Sequence, residues 1–203
     1  MGNNAPRRRP VGFAIFTVLA GIVGWFASFE LLTERINTLI DPTHVPNCNI
    51  SLLVSCGPNM GSWQGSVFGF SNTILGVAFF MAPIIVGISL LSGAQFAHWY
   101  WRTYLVGLTF GIGFVAWLST QSIFNLGTLC PWCMVVWTVT IPLFWYTLFF
   151  TAKEGHLGLP ASWQNKANTV YSWAWVVTIA CYLIIAVIAQ INLDWFAEVA
   201  RSF

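Results

Sequence analysis

Charged residues are scarce in this sequence: they make up 7% of 203 residues, whereas 57% are hydrophobic. A soluble globular domain carries roughly 25% charged residues, so this composition excludes that class. The mean hydropathy of +0.73 predicts an integral membrane protein, with room for about five spans of about 20 residues each. The net charge of +2, without a periodic basic patch, excludes nucleic acid as a partner and leaves membrane lipid.

Five apolar runs occupy most of the chain and predict an all-α transmembrane bundle. They are Val11–Leu32, Asn72–Leu91, Tyr104–Phe124, Cys130–Thr151 and Tyr171–Ile191. The first run is too long for a signal peptide and lacks a small-residue cleavage site, so it should remain as the first span. Residues 11–151 then contain four of the predicted helices, between a tail at 1–10 and a loop at 152–170, and residues 171–203 contain the fifth helix and a short tail.

The positions of lysine and arginine predict the orientation, because these residues concentrate in cytoplasmic segments. With the N-terminus inside, six of the eight basic residues lie on the cytoplasmic side. These are Arg7, Arg8, Arg9, Arg102, Lys153 and Lys166. The sequence therefore predicts a multi-pass protein of the plasma or inner membrane. Its tail 1–10 and loop 152–170 would be cytoplasmic, and its C-terminus extracytoplasmic.

Four of the five cysteines fall on the predicted outer face, a compartment in which disulfides form and exchange. Two of them make the motif Cys130-Pro131-Trp132-Cys133 at the start of the fourth run. Residues i and i+3 of a first helical turn lie side by side, which suits a dithiol. Pro131 fits the first helical position, so Cys130 is predicted to cap the helix, where free N–H groups and the helix dipole favour a thiolate.

The other two outer cysteines, Cys48 and Cys56, lie in the long loop 33–71, which is apolar and glycine-rich and is expected to cap the outer end of the bundle. A straight helix would separate them by about 12 Å, beyond the reach of a disulfide. If they pair, the segment between them must therefore be looped. Either a structural clip in a static lid or a redox pair in a moving segment fits this pattern.

Two cysteine pairs on one face could also act as a relay, since thiolates exchange with disulfides without a metal or flavin. Zinc is disfavoured because the loop spacing is not that of a usual zinc site, and nothing indicates flavin or haem. The final acceptor would be lipid-soluble, and a quinone fits best. Cys181, in the middle of the fifth run, is interpreted as a small buried hydrophobe.

Three segments resemble the vitamin K epoxide reductase family in its bacterial form: Cys48–Cys56, Ser66–Gly76 and Cys130–Cys133. The resemblance covers about residues 11–151. In the DsbB family, the other quinone-linked disulfide generator, the Cys-x-x-Cys pair comes first, which is the opposite order.

The resemblance implies a four-helix bundle around a quinone of the menaquinone or ubiquinone type. Cys48 would exchange with a separate extracytoplasmic thioredoxin-fold, DsbA-like protein. Cys56 would pass electrons to Cys130, and Cys133 would reduce the quinone. Asn72 matches an asparagine that hydrogen-bonds a quinone carbonyl, although from the residues alone it is equally a helix cap.

The quinone pocket is expected to include Phe68, Phe70, Ile74 and Trp137 beside Cys133. Trp137 stands where animal members carry a tyrosine; it can stack on a ring and donate one hydrogen bond but cannot act as a phenol. No thioredoxin-like domain follows the last run, so the partner is expected to be a separate protein.

The sequence thus predicts a membrane thiol-disulfide oxidoreductase that reoxidises such a partner, sends electrons to quinone and supports disulfide formation. One alternative is a quinone or quinone-epoxide reductase whose main product is the reduced quinone. Another is a non-enzymatic membrane subunit with structural disulfides.

Overall fold

The computed structural model describes residues 10–197. The helices in this part are α1 (Val11–Ile40), α2 (Gly57–Gly61), α3 (Asn72–Leu91), α4 (His98–Thr120), α5 (Pro131–Lys153), α6 (Ala161–Ser172) and α7 (Ala174–Leu193). A 3-10 turn, Trp63–Ser66, follows α2, and a π-helical segment, Gln121–Leu126, continues α4. Within the described residues, extended pairing is confined to one bridge between Val54 and Leu129.

Five of these helices are long and apolar enough to cross a membrane: α1, α3, α4 with its π-helical extension, α5 and α7. The predicted all-α transmembrane fold is confirmed. The predicted ends were less accurate. Helix α1 runs eight residues past Leu32, because no residue between Leu32 and Asp41 disfavours a helix. It ends before Asp41, since the proline that follows disfavours the helical conformation at that residue.

The loop predicted at 152–170 also contains a regular element that the sequence reading missed. Helix α6 begins after Pro160, since proline suits a helix start, where its missing N–H leaves no hydrogen bond unmade. The helix is polar rather than apolar, which is why hydropathy did not reveal it. It packs against α5 and leads into α7.

Small residues bring α1 and α3 together along most of their length. A side chain at Gly24 would overlap the ring of Phe80, which is fully buried in the contact. A Cβ atom at Gly87 would lie 2.7 Å from the carbonyl oxygen of Ala14 and 3.0 Å from the backbone nitrogen of Val18. Close backbone approach of this kind is how transmembrane helices associate without a hydrophobic driving force.

The bundle has two chemically different ends, because α5 begins beside Cys130 and ends at Lys153, about 35 Å away at 1.5 Å per residue. We call these the cysteine end and the basic end. At the basic end, Phe13 stacks on Phe150 at 4.2 Å between ring centres. Trp101 stacks there on His156 at 5.3 Å.

The α1–α3 contact predicts that Gly87→Ala destabilises the protein by about 1–3 kcal/mol, the usual range for overpacking. Its new methyl group would press on backbone atoms, which cannot move aside as a side chain can. Gly107→Ala on α4 is the matched control, since its Cβ would meet no protein atom within 4 Å. Thermal unfolding of both variants in the same detergent measures the difference; equal melting temperatures would contradict this packing.

Candidate redox site

Cys130 caps α5, as predicted, and Pro131 occupies the first turn. The Cys130 sulfur accepts a hydrogen bond from the backbone N–H of Cys133 at 3.4 Å. A hydrogen bond from the Cys133 side chain holds the pKa of Cys130 below that of an ordinary cysteine, and backbone N–H groups act in the same direction, while burial opposes them. The site therefore favours the nucleophilic thiolate at Cys130.

Cys48 and Cys56 form a disulfide, with Cα atoms 5.7 Å apart. The segment between them is looped, as pairing required: the backbone N–H groups of Ile50 and Ser51 both donate to the carbonyl of Val54, at 2.9 and 3.0 Å. This tight turn brings Cys48 and Cys56, which are eight residues apart in sequence, within the distance that a disulfide requires.

The turn before α5 holds this loop in place through backbone pairing. Leu129 donates from its N–H to the carbonyl of Leu53 at 2.7 Å, and Ser55 donates to the carbonyl of Leu129 at 3.1 Å. Asn59 adds a side-chain bond to the hydroxyl of Thr128 at 2.9 Å. These bonds fix the position of the cysteine loop relative to the helix that carries the second pair.

The pairing brings two sulfurs together: the Sγ atoms of Cys130 and Cys56 are 3.2 Å apart, and both residues are fully buried. Leu31 and Met60 pack around them. A Cys130 thiolate at this distance is placed to attack the disulfide at Cys56, and in the reverse direction a Cys56 thiolate is placed to attack Cys130.

A cavity of about 440 Å³ lies next to Cys133, between α1, α3, α4 and α5. This volume lies in the range of small-molecule sites, which are mostly apolar with a few polar groups. Cys133, Asn72 and Trp137 all line it. The sequence predicted these three for the quinone pocket, and the fold brings them to one cavity.

The model of the vitamin K epoxide reductase family matches residues 15–148. The chain belongs to the vitamin K epoxide reductase family. Its members are membrane oxidoreductases with redox-active cysteines, so this protein is a multi-pass membrane oxidoreductase. No curated protein matches the sequence.

In this member of the family, Asn72 is the first residue of α3 and follows the cap residue Ser71, which makes no capping bond through its side chain. The Asn72 side chain accepts from the N–H of Val67 at 3.2 Å and donates to the carbonyl of Gln64 at 2.6 Å. It therefore ties the loop to α3, and one of its two amide hydrogens remains for a ligand.

Trp137 lies one helical turn after Cys133 and is almost fully buried. Its indole N–H makes no hydrogen bond to any residue in the described part of the chain. Asn72 and Trp137 thus offer the cavity two N–H donors.

Three residues that the sequence predicted for the quinone pocket lie outside the lining of this cavity. Phe68, Phe70 and Ile74 do not line the cavity and are 49%, 43% and 46% exposed. The lining rings are instead Phe79, Phe80, Phe110 and Phe114. Phe68 and Phe70 belong to the loop before α3. Ile74 lies on α3, which is apolar on every side because in a membrane its outer face contacts lipid, so hydropathy could not tell its inner face from its outer one.

Asn49 is a residue that the sequence reading missed. Its side-chain oxygen accepts from the hydroxyl of Ser55 at 2.8 Å and from the backbone N–H groups of Cys56 and Gly57 at 2.9 and 3.1 Å. It thereby fixes the backbone at Cys56 and the start of α2. No local pattern indicated this role, because the groups that Asn49 binds lie six to eight residues further along the loop.

The 3.2 Å sulfur contact predicts a specific cross-link. The variant with Cys48→Ser and Cys133→Ser leaves Cys56 and Cys130 as the adjacent pair, and mild oxidation with copper phenanthroline should join them nearly completely. Mass spectrometry of the digested protein identifies the linked peptides.

The matched control, Cys48→Ser with Cys130→Ser, leaves Cys56 opposite Cys133, a pair that no sulfur contact joins in the described residues. It should cross-link more slowly. Faster linkage in the control than in the test variant would contradict the described geometry.

Proposed function

We propose that this protein is a membrane thiol oxidase that reoxidises a soluble thioredoxin-fold, DsbA-like partner and passes two electrons to a membrane quinone, supporting disulfide formation. The contact between the Cys56 and Cys130 sulfurs, with Cys133 on the cavity wall, carries this proposal. It connects a disulfide in the loop to an acceptor site within the bundle.

The first exchange takes place at the loop disulfide. A partner thiolate attacks Cys48 and releases the Cys56 thiolate, and the partner's second thiol then displaces Cys48, so that the partner leaves with a disulfide. Both loop cysteines are now reduced. Cys48 is only 5% exposed, so the loop must open locally before a partner can reach its sulfur.

The second exchange moves the electrons to the helix. With Cys130 and Cys133 in a disulfide, the Cys56 thiolate attacks Cys130 and releases Cys133. Cys48 then attacks Cys56, which restores the loop disulfide and frees Cys130. The products are a Cys48–Cys56 disulfide beside the thiols of Cys130 and Cys133, the arrangement that the structure contains.

The final step is the oxidation of Cys130 and Cys133 to a disulfide, in which the thiols give up two electrons and two protons. A quinone in the adjacent cavity takes up both and leaves as the quinol. Asn72 and Trp137 would hold its carbonyl oxygens through N–H donors. The apolar walls would accommodate the ring and exclude water, which would otherwise compete for these donors.

The distribution of charge supports an extracytoplasmic position for the cysteine end. Arg102 donates from Nε to the carbonyl of His156 at 3.0 Å, so it lies with Lys153 at the basic end. Lysine and arginine favour the cytoplasmic side. The N-terminal arginines on which the sequence prediction also rested, Arg7, Arg8 and Arg9, lie outside the described residues.

Thiol trapping on the fully reduced protein tests the proposal. A dimethylnaphthoquinone is a suitable menaquinone analogue, because its ring has no free position for thiol addition. Samples quenched with an alkylating reagent and mapped by mass spectrometry should show that Cys130 and Cys133 lose their free thiols first. Cys48 and Cys56 should follow.

Cys133→Ser should reduce quinone-driven thiol loss to the uncatalysed background, whereas Cys181→Ser, which leaves all four cysteines of the two pairs in place, should behave as the unaltered protein. If all four cysteines stay alkylatable while quinone is present, the protein does not use quinone, and the disulfide of the loop is structural.

A further inference from the structure

The side chain of Gln64 stands out among the polar groups of the cavity. Gln64 lines the cavity but is only 7% exposed, and its Oε1 is buried without a hydrogen-bond partner in the described part of the chain. Its Nε2 donates to Oε1 of Gln121 at 3.5 Å, the outer limit of a hydrogen bond. A buried amide oxygen without a partner is costly, so this position calls for an explanation.

We propose that Gln64 is a product-recognition residue, whose Oε1 accepts a hydrogen bond from a hydroxyl group of the bound quinol. This inference rests on the proposed quinone reductase activity. A quinone has only carbonyl acceptors and cannot satisfy an amide oxygen. The quinol gains an O–H donor at each ring oxygen, so Gln64 distinguishes the reduced ring from the oxidised one.

The neighbouring amides determine which end of the Gln64 side chain is available. Oε1 of Gln121 also accepts from Nδ2 of Asn125, so a second amide nitrogen already points at that oxygen. If the Gln64 amide alone were rotated by half a turn, its Oε1 would face Oε1 of Gln121, and two hydrogen-bond acceptors would lie opposite each other. With Gln121 and Asn125 arranged in this way, Nε2 of Gln64 faces Gln121 and Oε1 is the atom without a partner in the described part of the chain.

Gln64 is also positioned by the group that would hold the oxidised ring. Its backbone carbonyl accepts from the Asn72 side chain at 2.6 Å, so the proposed carbonyl donor and the proposed hydroxyl acceptor are neighbours on the cavity wall. The terminal torsion of a glutamine is soft, and the long bond to Gln121 restrains it little. A small rotation therefore suffices to bring Oε1 to a ring hydroxyl.

The test compares the binding of two redox forms of one ligand. In a background with Cys130→Ser and Cys133→Ser, which prevents turnover, isothermal titration calorimetry under argon gives dissociation constants for dimethylnaphthoquinone and its quinol. Gln64→Met, which keeps the length of the side chain and removes the acceptor, should weaken quinol binding about tenfold, the usual effect of losing one hydrogen bond in a buried site. Quinone binding should stay within about twofold.

Thr120→Val is the control, because Thr120 is exposed, bonds through its side chain only to Trp117 of its own helix and does not line the cavity; it should leave both constants unchanged. If Gln64→Met weakens the binding of both ligands equally, or of neither, Gln64 does not recognise the quinol. The proposal that the cavity binds quinone would still stand. A selective loss of the quinone would also overturn the role of Gln64, since Nε2 would then be the ligand-facing atom. If the protein with only Cys130→Ser and Cys133→Ser binds neither the quinone nor the quinol, the proposed function itself fails.

Discussion

The contact between the Cys56 and Cys130 sulfurs depends on a short stretch of backbone pairing, because the two cysteines belong to segments 74 residues apart. Two hydrogen bonds between Leu129 and the loop place the disulfide over the start of α5. The same turn that receives the loop ends at the helix cap, where free N–H groups favour a thiolate. One piece of local structure therefore sets both the distance and the reactivity of the attacking sulfur.

The membrane explains why the second pair sits at a helix start and not within the span. In the hydrocarbon region every backbone polar group is already used by the helix, so only the helix end offers free N–H groups to a sulfur. Cys130 uses that end, while Cys133, one turn further, lines the cavity. The pair thus connects the loop, through Cys130, with the interior of the bundle, through Cys133.

How far the sequence could predict the structure varied with the range of the interaction. Hydropathy was enough for the five spans, and the Cys-Pro-Trp-Cys pattern was enough for the cap at Cys130, because both are local properties of the chain. The inner face of α3 could not be predicted, since Ile74 and Phe79 are equally apolar and differ only in what surrounds them. Asn49 and Gln64 were missed because their roles depend on a loop conformation and on residues distant in sequence.

Burial places opposing demands on the two cysteine pairs. Full burial of Cys56 and Cys130 keeps solutes away from their sulfurs, but under the proposed function Cys48 must be reached by a partner from outside. The side chain of His44, in the segment before Cys48, contacts Glu34 of α1 at 2.8 Å, and the segment otherwise hydrogen-bonds within local turns, whereas Cys130 is fixed to a helix of 23 residues. If a partner reaches Cys48 as proposed, the local opening with the smallest loss of structure is expected in the loop. The loop can expose Cys48 and return, while α5 keeps Cys130 and Cys133 in place at the cavity.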